Sequence, residues 1–121
     1  LTAQRDYMHV HDMVRAYCEL LIRGHRGEVY NVGTGIPTST KQLLQKLIRH
    51  STVDVANIQT ELDPARLRPT EASYLWSDPS KFLVTTSFRP QYTIEQMCVD
   101  LLNYWREKLG VPLVEPQTVK V

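Results

Sequence analysis

Apolar positions recur at three- and four-residue spacing through Met13, Val14, Tyr17, Cys18, Leu21 and Ile22, which predicts a helix with one buried stripe. Asp12 stands where a cap is needed, and Gly24 offers a left-handed stop. Upstream, Arg5 to His11 alternates. It predicts a short strand with Tyr7, His9 and His11 on one face and Met8 and Val10 on the other. Residues 28–33 predict a second strand, and the turn formers of residues 34–39 a loop. Ser39 or Thr40 opens a second helix carrying Leu43, Leu44, Leu47 and Ile48. Residues 58–62 alternate as a half-exposed strand does, ending at Asp63-Pro64, and the aperiodic stretch from Asp63 to Trp76 is the expected ligand-facing loop. Ser77-Asp78-Pro79 predicts a short capped helix through Lys81, Phe82 and Leu83. In the last helix, Thr93 and Gln96 make a capping box, Ile94, Met97, Cys98, Leu101, Leu102 and Trp105 hold the stripe, and Gly110 ends it. Residues 111–121, with Pro112 and Pro116, are expected to be an irregular tail.

Strand and helix patterns alternate, which argues for an α/β or α+β arrangement. The strands are too few to close a sheet. Either others are hidden in the irregular stretches or their neighbours lie outside this chain. At 121 residues the chain is one domain long, short for an enzyme with separate cofactor and substrate domains.

The 14 Lys+Arg against 13 Asp+Glu are dispersed, so no nucleic-acid partner is expected. No apolar run approaches the roughly 20 residues that span a bilayer, and the N-terminus carries no signal pattern. No membrane association is expected, and the cytoplasm is the predicted location. Cys18 and Cys98, at apolar helical positions without CxxC spacing, predict buried free thiols.

Gly33-Thr34-Gly35 follows a predicted strand, but the third glycine of a dinucleotide fingerprint is replaced by Thr38. A tight turn explains both glycines. His9 and His11 have the alternation that some metal sites use, yet no further ligands follow at known spacing, so hydrogen-bonded histidines at the base of a cleft are expected. No signature of a serine or cysteine nucleophile occurs. Tyr104 and Trp105 are read as core. In Leu67-Arg68-Pro69-Thr70-Glu71, Pro69 presents Arg68 from extended backbone, and a carboxylate follows. Such a guanidinium fits phosphate oxygens, and the carboxylate accepts from hydroxyls.

The ordered series 5–12 (Arg-Asp-Tyr-Met-His-Val-His-Asp), 30–35 (Tyr-Asn-Val-Gly-Thr-Gly), 67–71 and 78–81 (Asp-Pro-Ser-Lys) resembles the C-terminal part of the extended short-chain dehydrogenases that act on nucleotide sugars. The 67–71 motif and the stretch 100–106 are most similar to GDP-mannose 4,6-dehydratases and GDP-4-keto-6-deoxymannose reductases. The resemblance runs from Arg5 to about Lys108.

It implies an α/β fold that forms the C-terminal substrate-binding portion of an extended Rossmann-type dehydrogenase. Residues 1–35 would pack on the cofactor-binding sheet of a parent enzyme. Arg5 and Arg68 would grip the pyrophosphate of a nucleotide sugar, with a GDP-hexose expected, and Glu71 would accept from the ribose hydroxyls. Asp12, Asn31, Asp78 and Lys81 would be supports. The family's glycine-rich fingerprint and its catalytic Tyr-x-x-x-Lys are expected in an N-terminal cofactor domain outside this chain. No catalytic, cofactor-binding or metal-binding residue is therefore assigned here. NADP or NAD would be bound by a complete, homo-oligomeric enzyme and not by this chain alone. Ser87-Phe88 and Ser77 depart from the Gly-Trp and Gly that the family commonly has at these places. A domain that binds a nucleotide sugar or a protein without catalysis is the reading from a different class.

Overall fold

The central strand β1 (Gln4–Asp6) pairs antiparallel with β2 (Pro37–Ser39) on one side and parallel with β3 (Tyr74–Leu75) on the other. The computed structural model describes residues 2–61, 63–66 and 72–114. The register sets Arg5 between Thr38 and Leu75, so this arginine occupies the middle of the sheet. Pro37 has no N–H to give and lies on an edge strand, where that omission is tolerated.

β1 is shorter than its pattern predicts, because α1 (Val10–Arg23) begins before Asp12. His9 is the cap: its Nδ1 accepts the backbone N–H of His11 at 3.1 Å. Tyr7, His9 and His11 therefore do not share a strand face. Asp12 is released from capping and is buried within the first turn. At the other end Gly24 has φ −67° and ψ 145°, an extended exit rather than the expected left-handed one.

The predicted strand at 28–33 has no ladder partner among the described residues, whereas β2 lies in the stretch expected to be a loop. Residues 58–61 are also not a strand; a short 3-10 turn, Val55–Asn57, precedes them, with Asp54 accepting the Ala56 N–H. Another such turn, Pro64–Arg66, lies in the expected ligand loop. α2 (Thr40–Arg49) starts at Ser39, one of the two expected openers, which forms an unpredicted box with Gln42, and α4 (Ile94–Leu109) starts at the predicted capping box of Thr93 with Gln96; both boxes are closed in both directions. Gly110, at φ 65°, ends α4 in the left-handed conformation that glycine adopts without a steric penalty. α3 (Ser80–Thr86) begins one residue later than predicted, and the Asp78 carboxylate accepts both the N–H and the hydroxyl of Ser80.

α1 packs on α3, and α2 on α4. Ala16, Phe82 and Phe88 form the main core, with Met8, Leu20, Tyr30, Val32 and Leu83 against it. Cys98 and Val99 are the buried apolar side chains of α4. α1 is apolar on two sides, and the side that closes on α3 runs through Ala16 and Leu20. The predicted stripe is consequently open: Val14, Tyr17 and Cys18 are exposed, and Leu21 and Ile22 are 87% and 79% exposed. Beside it Val29 is 80% exposed. Both thiols are free, but only Cys98 is buried as expected. Tyr104 and Trp105 are half-exposed on α4 and are not core.

The side-chain amide of Asn103 holds the described residues just after α4. Asn103 donates to the Val114 carbonyl at 2.7 Å and accepts the Val114 N–H at 3.0 Å. Arg106, buried, donates to Asn103 and to the carbonyl of His50, tying α4 to the end of α2. No helix among the described residues is long and apolar enough to cross a membrane.

Candidate functional site

The last residue of β1 organises the centre of the molecule. Asp6 Oδ1 accepts from the Thr34 N–H at 3.0 Å and the Thr34 hydroxyl at 2.5 Å, while Oδ2 accepts from the Gly35 N–H at 2.9 Å and the Ser77 hydroxyl at 2.7 Å. Gly33 makes this junction possible. A Cβ there would stand 2.0 Å from Ser77 Oγ and 2.4 Å from Asp6 Oδ2. Burial pushes the Asp6 carboxyl up, but the hydrogen bonds from Thr34, Ser77 and the two backbone amides outweigh it and hold it below its ordinary value.

This arrangement also tests the Gly33-Thr34-Gly35 turn as a phosphate cradle. The Thr34 and Gly35 amides, which a dinucleotide phosphate would need, are turned onto the chain's own carboxylate. The turn does not fit a nicotinamide dinucleotide.

Arg5 lies beside this junction and lines a cleft of about 390 Å³ with Asn31, Leu75, Trp76 and Asp78. Its Nη1 donates to the Gln4 carbonyl at 2.8 Å. Trp76 is half-exposed and meets Tyr74 edge-on, so the cleft has an aromatic wall as well as a cation. Arg68 and Glu71, the other predicted ligand residues, lie outside the described residues. Asn31, expected to be a support, is exposed and lines the cleft. Lys81 holds the segment behind it: its ammonium donates to Glu28 and to the Val29 carbonyl and lies over the Tyr30 ring.

A second cleft, of about 460 Å³, is lined by Tyr7, His9, Thr34, Ile36, Tyr92 and Met97 among others. Tyr92 stacks on His9 with centroids 4.1 Å apart and planes 12° apart. Because His9 Nδ1 accepts from His11, its Nε2 carries the proton and donates to Asp100 at 3.1 Å. Both ring nitrogens are engaged, which leaves His9 no lone pair for a metal. Among the described residues no group of His, Cys, Asp or Glu is gathered to hold an ion. Tyr92 was missed as a site residue, since the preceding Pro90 and the following helix cap mark it only as a connector.

Asp12, expected to be a support, is the hinge between α1 and the entry to α4. Its carboxylate accepts the backbone N–H groups of Gln91 and Tyr92 at 3.0–3.1 Å and the Arg15 guanidinium at 2.6 Å. Burial raises its pKa; these donors, backbone first and then Arg15, bring it below the ordinary value.

The bare spacing Tyr-x-x-x-Lys also occurs within this chain, at Tyr104 and Lys108. Here it is an i, i+4 pair on the exposed side of α4, with the Lys108 ammonium 5.6 Å from the ring centroid. The ammonium faces the π-surface, and neither side chain lines the two clefts described above. It is a surface cation–π contact and does not form a proton-transfer pair.

The family model described as GDP-mannose 4,6 dehydratase matches residues 1–101. GDP-6-deoxy-D-mannose reductase of Pseudomonas aeruginosa is 31% identical over 111 residues, covering 90% of this chain and 35% of that protein. UDP-glucose 4-epimerase of Caenorhabditis elegans is 32% identical over 115 residues, covering 88% and 30%. Among solved structures, RMD from Pseudomonas aeruginosa complexed with NADPH superposes with a TM-score of 0.75 at 26% identity, over 88% of this chain and 34% of that one. UDP-glucose 4-epimerase from Bifidobacterium longum, in complex with NAD+ and UDP, has the same fold over 89% of this chain, with a TM-score of 0.73. The chain spans about a third of the length of these relatives.

Proposed function

The chain belongs to the GDP-mannose 4,6-dehydratase family of extended short-chain dehydrogenases, and from that premise we propose that it is the nucleotide-sugar-binding portion of an NAD(P)-dependent dehydratase of that kind. The observation that carries the reading is the place of Arg5. It stands at mid-sheet in a cleft walled by Trp76 and Asp78, which closely follow the Arg68 to Glu71 motif in the chain. Arg5 and Arg68 pair with the two phosphates, whose non-bridging oxygens suit the planar guanidinium fork, and Glu71 accepts from the ribose hydroxyls.

A nicotinamide cofactor, held by residues beyond this chain, would supply the hydride chemistry for oxidation at C4 of the hexose and for the reduction that follows loss of water across C5 and C6. The open apolar face of α1 and the unladdered residues 28–33 support the cofactor-binding half as their partner, and a homo-oligomeric complete enzyme is part of the reading. The free thiols are compatible with the cytoplasm.

A second reading, reduction of a 4-keto sugar, is favoured by the similarity to the reductase. The complete protein given GDP-mannose and NADP+ or NAD+ is expected to form GDP-4-keto-6-deoxymannose. Failure to do so, with consumption of NADPH or NADH on that keto sugar, establishes the reductase instead. In the same protein Arg68→Ala is expected to weaken GDP binding by about 2–5 kcal/mol, with incomplete rescue by lysine. Equal affinity of the wild type and Arg68→Ala in calorimetry rejects the phosphate role.

A further inference from the structure

We infer that Asp6 and Ser77 form a clasp that positions Arg5, so that the Ser77 hydroxyl governs how well the arginine meets a ligand diphosphate; this rests on the nucleotide-sugar reading above. β1 is only three residues long, and its parallel pairing with β3 joins only Gln4 to Tyr74 and Arg5 to Leu75. So short a ladder fixes the strand's direction weakly, and what holds its end decides where Arg5 aims.

The end is held by Asp6. One oxygen is taken by Thr34 alone; the other is shared between the Gly35 amide and Ser77. Ser77 differs from the other donors because it follows β3 and belongs to the wall of the Arg5 cleft, between Trp76 and Asp78. Its 2.7 Å hydrogen bond thus ties the arginine's strand to the opposite wall of the cleft. The absence of a Cβ at Gly33 is what lets the hydroxyl and the carboxylate meet. Without the hydroxyl, Asp6 keeps Thr34 and Gly35 and the turn survives, but the wall carrying Trp76 is released from β1. Ser77 is a positioning residue, since it acts through Arg5 and its own hydroxyl is committed to Asp6.

The test is a double-mutant cycle on the complete protein, read by calorimetry with GDP and with GMP. Ser77→Ala is expected to weaken GDP binding about three- to tenfold in the wild-type background and by less than about twofold in the Arg5→Ala background, because the effect passes through the arginine. GMP, lacking the second phosphate, should lose less than GDP. Ser77→Gly, which also removes the hydroxyl, repeats the measurement should the alanine variant be poorly folded. If Arg5→Ala weakens GDP binding but Ser77→Ala adds the same factor in both backgrounds, or none in either, the clasp is rejected and the Arg5 reading stands. If Arg5→Ala binds GDP as the wild type does, the reading beneath fails and the clasp fails with it.

Discussion

Asp12 accepts the backbone N–H of Tyr92 at 3.0 Å across 80 residues of sequence, and from this buried position it joins α1 to the turn that starts α4. Removing the carboxylate strands the amides of Gln91 and Tyr92 and leaves Arg15 without its ion pair. Asp12→Ala is therefore expected to destabilise the complete protein by about 2–5 kcal/mol. Asp12→Asn, which keeps one acceptor oxygen, should lose less. Urea denaturation with an unchanged slope measures both; equal stability of wild type and alanine variant removes the joint from the account.

Acid should loosen the same two carboxylate centres. Asp6 and Asp12 have folded-state pKa values below the ordinary 3.8, so the unfolded chain takes up protons first as pH falls. Their stabilisation is whole above about pH 5 and is lost progressively below it, down through the lowered folded-state values. Glu95, held down chiefly by the hydrogen bond from Lys46, adds to the same limb. Thermal midpoints measured between about pH 6 and pH 3 should fall, and Asp6→Asn should flatten the fall. A midpoint independent of pH in that window contradicts the linkage.

Ser87 has φ 55° at the C-cap of α3, a left-handed conformation that disfavours a side chain. Ser87→Gly removes that strain and is expected to stabilise the complete protein by about 0.5–1 kcal/mol net of the extra freedom of the unfolded chain. A raised thermal midpoint checks it; a lowered one means that the serine side chain makes a compensating contact.

Expressed alone, the chain exposes Val14, Leu21, Ile22 and Val29. Each is worth about 1.5–3 kcal/mol when fully buried, together comparable with the net stability of a small domain. Self-association or binding of a hydrophobic dye is expected, and Leu21→Glu with Ile22→Lys should relieve it. A monomer in sedimentation with a sharp melt and strong amide protection over residues 28–33 would show a self-sufficient domain.

The helix signals that were legible are the local ones. Ser39, Thr93 with Gln96, and Gly110 each act within a turn of their own helix, and the structure realises all of them. What failed needed distant partners. Asp12 has the chemistry of a cap, but Gln91 and Tyr92 claim it and His9 takes the cap. The α1 stripe has the right period, yet which apolar side closes depends on where α3 lies. Residues 28–33 have a strand's composition without a described neighbour, while β2, only three residues long, exists because β1 pairs with it. At the candidate site, Arg5 is assigned on family resemblance rather than on its spacing. The Asp6 junction escaped notice because its donors come from residues 34, 35 and 77.

The parallel pairing of Gln4 with Tyr74 has a consequence for synthesis on the ribosome. β1 emerges early, but its β3 partner and the Ser77 hydroxyl are still untranslated, and the Asp12 joint waits for Tyr92. Contacts this far apart in sequence close slowly. The first helix therefore leaves the exit tunnel with both its apolar sides uncovered, and the Ala16–Leu20 side can close only once α3 has been made.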